Sequence, residues 1–83
     1  MMEKYKNIVK RAIEKNMTLI AEQHYCEVIK DPLILEVYPY RFDGDFLVCY
    51  DVKAGQPHAI DMKSVTKIFP YRKKDDSVPK DCI

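Results

Sequence analysis

The stretch that decides the fold is Asp43-Gly44-Asp45-Phe46-Leu47-Val48-Cys49-Tyr50. Its first three residues are a turn signal, because glycine and aspartate favour the backbone angles of a tight turn. The five residues that follow have the length and the aromatic content of a buried strand. The stretch therefore predicts a turn that is followed by a buried strand and preceded by another apolar strand.

Alternating apolar residues on both sides of this stretch indicate further strands. Residues 33–38 form the strand before the turn, and we expect Pro39 to end its regular ladder pairing. An earlier strand spans residues 18–25, and residues 58–62 and 65–69 form two short strands or one bent strand. The sequence thus predicts four or five short antiparallel strands.

The beginning of the chain has the periodicity of a helix. Apolar residues recur every three or four positions within residues 3–16, namely Tyr5, Ile8, Val9, Ala12 and Ile13. Asn16 is the predicted helix end. One helix followed by several short strands predicts a small curled sheet or barrel, because a flat sheet of this size would leave one face and two edges unprotected. Its predicted core contains Leu35, Val37, Leu47, Cys49, Ile60 and Val65.

The composition is that of a small globular protein. The 83 residues are enough for one domain with a modest core, which we expect to span residues 1–71 and to be followed by a charged tail at 72–83. A net charge of +1 provides no overall field that would recruit nucleic acid or an anionic membrane. Three widely separated cysteines and the absence of a long apolar segment predict reduced thiols in a cytoplasmic protein.

The sequence offers little for catalysis or metal binding. His24 and Cys26 lie two residues apart on one strand face without a third or fourth ligand, and Asp43 and Asp45 provide too few oxygens for calcium. Motifs for nucleophilic, phosphate-binding or metalloprotease chemistry are absent, and so small a domain has little concave volume. We therefore expect no metal, no cofactor and no enzymatic activity.

Aromatic and basic residues lie together in two segments and suggest a binding surface. The predicted ligand-binding residues are Tyr38, Tyr40, Arg41, Phe42, Tyr71, Arg72 and Lys73. Their rings can stack on bases and their cations can neutralise phosphates, although tyrosine-rich surfaces also suit protein interfaces. A second basic set is interpreted as the solvated face of the helix and comprises Lys4, Lys6, Lys10, Arg11 and Lys15.

The order of these residues resembles the WYL domain, a bacterial and phage module, over about residues 8–69. The matching positions are Ala12-Ile13 at the helix end, Val37 and Pro39, Phe46-Leu47-Val48, and then Ile60, Met62, Val65 and Ile68. The family's tryptophan and its ligand-contacting arginines are replaced here by Asp45, Leu35, Asp61 and Ser64. The resemblance implies an α+β, mainly β fold, with an N-terminal helix at residues 3–16 followed by a small antiparallel Sm-like or SH3-like β-barrel of four to five strands.

The residues and the resemblance together predict a small non-enzymatic binding module with a regulatory or phage-related role. The expected ligand is a nucleotide or a short single-stranded nucleic acid. The alternative is a protein-interaction module or inhibitor that docks on a partner protein through an edge strand or the aromatic face. We also expect a homo-oligomer, because edge strands and aromatic side chains would otherwise face water, and we expect no membrane contact.

Overall fold

The fold is one helix followed by a five-stranded antiparallel sheet. The computed structural model describes residues 2–24 and 31–80. Its elements are α1 (Met2–Lys15), β1 (Met17–Gln23), β2 (Leu33–Asp43), β3 (Phe46–Asp51), β4 (Gln56–Asp61), a short 3-10 helix (Met62–Ser64) and β5 (Val65–Lys73). The strand order is β4-β3-β2-β1-β5, and every pair is antiparallel. The predicted α+β, mainly β fold is confirmed.

The connection between β4 and β5 requires the sheet to curl. These strands are its two edges, and in a flat sheet with strands about 4.8 Å apart they would lie about 19 Å from each other. The 3-10 helix Met62–Ser64 is the whole connection between them. Such a short link spans at most about 14 Å. The two edges therefore approach each other at this end, a shape compatible with an Sm-like or SH3-like barrel.

The predicted hairpin turn joins β2 to β3. Asp43 pairs with Phe46, so the turn itself has two residues. Gly44 adopts a φ of 60°, which glycine reaches without the steric cost that a Cβ would add. The carbonyl of Asp45 accepts a hydrogen bond from the backbone N–H of Met62 at 3.0 Å. This contact ties the turn to the link between β4 and β5.

The core lies between α1 and the inner face of the sheet. The predicted core residues that are buried are Val37, Leu47, Cys49, Ile60 and Val65. Leu35 is half-buried and packs against the same cluster. From the helix, Val9 and Ala12 complete the cluster, so the apolar stripe predicted from the periodicity is the face that packs.

Strand β2 continues past Pro39 to Asp43, although the sequence predicts that regular ladder pairing of this strand ends at Pro39. Pro39 pairs with Cys49 of β3. Strand β1 pairs with β2 only as far as Val37. Pro39 therefore lies where β2 has a neighbouring strand on one side, which is the position in which a sheet accepts proline.

A β-bulge follows Pro39 and changes which side chains face the core. Tyr40 is the extra residue between the pairs that Pro39 and Arg41 form with β3. After this irregularity, Phe42 packs against the core while Arg41 is exposed. A strict two-residue alternation from Val37 would have placed Arg41 inside, so the bulge is what keeps this cation in solvent.

Strand β5 also extends further than predicted, to Lys73 rather than to residue 69. Residues 72 and 73, which the sequence predicts to be part of the charged tail, belong to the strand. Its last five residues are all exposed and carry no apolar alternation by which the sequence would mark a strand. Beyond β5 the chain stays in contact with the domain, because Val78 is only 5% exposed.

Asn16 ends α1, as predicted. Its φ is 56°, in the left-handed region that commonly terminates helices and that asparagine tolerates better than most residues. Its backbone N–H donates to the carbonyl of Ile13 at 3.3 Å. This conformation reverses the chain directly into β1.

Candidate functional site

Tyr38 and Tyr40 are adjacent, but other parts of the chain already contact them. Their ring centroids are 5.4 Å apart with an interplanar angle of 80°. The Tyr38 hydroxyl donates to Oδ1 of Asn16 at 3.2 Å, and burial raises its pKa. Nζ of Lys74 lies 5.0 Å from the Tyr38 ring centroid, and the Tyr40 hydroxyl donates to the carbonyl of Pro79 at 2.6 Å. The C-terminal segment thus occupies surface that we had assigned to a ligand.

Arg72 is engaged by a carboxylate of β2. Its Nε and Nη2 donate to Oε2 and Oε1 of Glu36 at 2.7 and 3.1 Å. The Thr18 hydroxyl donates to the same carboxylate at 3.0 Å. The hydrogen bonds from Arg72 lower the pKa of Glu36, burial opposes this effect, and the Thr18 bond reinforces it. Arg72 therefore links strands, with part of its hydrogen-bonding capacity already used.

The other predicted ligand residues lie on two strands, β2 and β5. Phe42 is half-buried against the core, with Nζ of Lys6 5.7 Å from its ring centroid. Arg41 is exposed on β2, and Tyr71 and Lys73 are exposed on β5. The structure therefore brings together Tyr38 with Tyr40, and Arg72 with Tyr71, whose ring centroid lies 5.6 Å from Cζ of the arginine.

A groove of about 440 Å³ runs beside α1, where the helix meets the start of β1 and the end of β5. We call it the α1 groove. Its apolar lining consists of Ile8, Ala12, Met17 and Pro70. Its polar lining consists of Lys4, Asn7, Arg11 and Lys15. An apolar surface bordered by cations suits a ligand that has an apolar part and a negative charge.

The helix geometry places the three cations of the groove in a line. Lys4, Arg11 and Lys15 are seven and four residues apart, which puts them within about 40° around the helix axis and along about 16 Å of its length. Among the side chains that the structure describes, none of the three cations has an ion-pair partner, whereas Arg72 pairs with Glu36. All three side chains are exposed, so a ligand in the groove can reach their charges.

The sequence identifies some of the residues that line the α1 groove. Lys4, Arg11 and Lys15 are basic residues at helical spacing, and the sequence alone predicts them on the solvated face of the helix. Met17 and Pro70 become groove residues only when β1 and β5 pair beside α1, and these two are far apart in sequence. Lys73, one of the predicted ligand residues, is the cross-strand partner of Met17, so it lies next to the groove.

Other potential sites are weaker. In the part of the chain that the structure describes, no three histidine, cysteine or acidic side chains are close enough to hold a metal ion. His24 is exposed, and Cys26 and Cys82 lie outside the described residues. Cys49 is buried, and its thiol donates to the carbonyl of His58 at 3.4 Å. Oδ2 of Asp45, from the acidic turn, pairs with Lys63 at 3.2 Å.

The chain was compared with protein families, with curated proteins and with solved structures. No protein-family profile, no curated protein and no solved structure matches the chain. The described part of the chain contains no helix long and apolar enough to span a membrane. The likeness to the WYL domain therefore rests on the residues quoted for it above.

Proposed function

We propose that this protein is a non-enzymatic binding module whose α1 groove takes a nucleotide or a short single-stranded nucleic acid. The observation that carries the proposal is the line of Lys4, Arg11 and Lys15, without ion-pair partners in the described structure, beside an apolar lining. Lysine and arginine neutralise phosphates, and the apolar side chains provide contact area for a base or sugar. Lys73 extends this positive surface beyond Met17.

Binding without catalysis agrees with the chemistry of the groove. Its lining residues, as far as the structure describes them, include no carboxylate, histidine, cysteine or hydroxyl group. These are the groups that most often act as general bases or nucleophiles. The polar side chains that a phosphate-bearing ligand would meet there are lysine, arginine and asparagine, which suit binding of its charge.

We further propose that the curled sheet is a WYL-like barrel with a regulatory, bacterial or phage-related role in the cytoplasm. The short link between β4 and β5 supports this, because it brings the sheet edges together. Leu35, Asp61 and Ser64 stand where the family has arginines, so the family's own cationic surface is missing. In this proposal the α1 groove supplies positive charge from the helix instead.

The proposal is tested by calorimetric titration with nucleotides, cyclic oligonucleotides and short single strands at low salt. Arg11→Ala should weaken binding about tenfold, the loss expected for one charge-assisted contact. Lys53→Ala, an exposed cation in the turn after β3, is the matched control and should bind like the wild type. Binding should also weaken steeply as salt is added. Absence of binding across the whole panel would exclude the proposal.

A further inference from the structure

The seven residues after β5 lie against the sheet as a strap, which we define as residues 74–80. At its start, the backbone N–H of Lys74 donates to the carbonyl of Asn16 at 2.9 Å. Near its end, Val78 is 5% exposed and the carbonyl of Pro79 accepts a hydrogen bond from Tyr40 at 2.6 Å. A surface segment with a buried valine is a docked segment rather than a solvated tail.

The surface under the strap, which we call its seat, includes Tyr38, Tyr40 and Arg72 and has the chemistry of a peptide-binding surface. Tyr38 and Tyr40 pack edge to face, and the hydroxyl of Tyr40 points to the main-chain carbonyl of a proline. Tyrosine is common at protein-binding surfaces, because its ring provides contact area and its hydroxyl can hydrogen-bond to a partner's main chain. Residues 75–78 form a turn, because the backbone N–H of Val78 donates to the carbonyl of Asp75 at 3.3 Å. This turn presents Val78 and Pro79 to the sheet.

The strap also matches the charge of its surroundings. The side-chain hydroxyl and the backbone N–H of Ser77 both donate to the carboxylate of Asp75. These bonds lower the pKa of Asp75, and the positive charge of Arg72 lowers it further. The docked segment therefore presents an anionic residue three positions before its buried valine, on the side of Arg72.

We propose that the surface formed by Tyr38, Tyr40 and Arg72 is a peptide-docking site that the chain's own strap occupies. The partner it fits is a protein with a turn-forming segment in which an acidic residue lies three positions before a small apolar residue, and a proline follows directly after that apolar residue. Such a segment displaces the strap and takes its place. This inference is independent of the α1 groove and of any ligand bound there.

The strap is attached to the domain by few contacts. Its described anchors are the contacts of Lys74, the burial of Val78 and the hydrogen bond to Pro79, while residues 75–77 and 79–80 are exposed. A short tether gives the strap an effective concentration in the millimolar range. A free peptide therefore binds the intact protein only weakly until the strap is released.

The test uses the full chain and a fluorescent peptide with the sequence of residues 74–80. Val78→Ser in the protein should release the strap and increase peptide affinity at least about tenfold over the wild type, by removal of the tethered competitor. Adding Tyr40→Phe to that variant should lower its affinity for the peptide several-fold, because the hydroxyl that donates to Pro79 is removed. A peptide carrying serine for Val78 and alanine for Pro79 is the control and should not bind.

Pro79→Ala in the full chain is the second variant, because it leaves Val78 in place and keeps the test informative if Val78→Ser perturbs folding. Nuclear magnetic resonance spectra establish that each variant is folded and report whether the Tyr38 and Tyr40 signals change. Peptide binding that rises in either folded variant and depends on Tyr40 supports the inference. Folded, strap-released variants that bind the peptide no better than the wild type would overturn it.

Discussion

The carboxylate of Glu36 on β2 accepts two hydrogen bonds from the guanidinium of Arg72 on β5, across the intervening strand β1. Strand β1 contributes the third partner, because the Thr18 hydroxyl donates to the same carboxylate at 3.0 Å. The hydroxyl contacts the carbonyl of Arg72 as well, at 3.1 Å. One buried carboxylate thus joins three neighbouring strands on the side of the sheet where the strap docks.

This contact predicts a specific pH dependence of stability. The pKa of Glu36 is lowered from its ordinary value of 4.5, so its ionised form is favoured in the folded protein. Its contribution is fully present above about pH 4.5 and is lost as the pH falls through the lowered folded pKa. Melting temperatures of the wild type and Glu36→Gln, measured from pH 7 to pH 2, should therefore converge at low pH.

The partner of Glu36 provides the control for that series. Arg72→Ala should lower the melting temperature at pH 7 and should also reduce the difference between pH 7 and pH 2. Arg41→Ala removes an exposed arginine and should leave both unchanged. A constant gap between the wild type and Glu36→Gln over the whole range would contradict the assignment.

Leu47 is predicted to be one of the most costly positions to truncate. Its side chain is fully buried in the core, so Leu47→Ala should reduce the free energy of unfolding by about 2 to 5 kcal/mol. Phe46→Ala is the matched comparison, because Phe46 is the adjacent residue and is 48% exposed. Urea unfolding that gives equal losses for the two variants would show that the inner and outer faces of β3 are wrongly assigned.

Two substitutions at Asn16 distinguish the effect of its backbone conformation from the effect of its side chain. At a φ of 56°, Asn16→Ala should be less stable than Asn16→Gly by about 1 to 2 kcal/mol, because alanine carries a Cβ into the left-handed region. Both variants lose the Oδ1 acceptor of Tyr38, so that loss cancels in the comparison. Equal stabilities in urea unfolding would argue against the left-handed turn.

Self-association is predicted from the surface of the sheet. In the described structure, β4 and β5 each pair with one strand only, and Phe46, Phe69 and Tyr71 are exposed. Sedimentation velocity should show a mass that rises above the 9.8 kDa of the monomer as the protein concentration increases. A strictly monomeric species at every concentration would refute this prediction.

Features set by neighbouring residues were predictable from the sequence. The turn at Gly44, the helix end at Asn16 and the buried residues of β3 follow from local chemistry and periodicity. The bulge at Tyr40 was missed, because pairing with β3 and not residue type creates it. The end of β5 was missed because its exposed residues carry no alternating pattern.

The functional surfaces depend on contacts between distant parts of the chain. Glu36 and Arg72 are 36 residues apart, and a list of exposed basic residues gives no reason to pair them. The same holds for Tyr40 and Pro79, which are 39 residues apart. Tertiary contacts therefore decide which of the predicted aromatic and basic residues face a ligand and which face the chain itself.

The measurement that tests the central claim most directly is a nuclear magnetic resonance titration of the full chain with a thymidylate hexamer at low salt. If the α1 groove is the ligand site, the methyl signals of Ile8, Ala12 and Met17 should shift, and Arg11→Ala should raise the hexamer concentration that gives half of the change by about tenfold. Lys53→Ala should shift like the wild type. No shift at the methyl groups of these three residues, or shifts confined to the surface around Arg41, would contradict the claim.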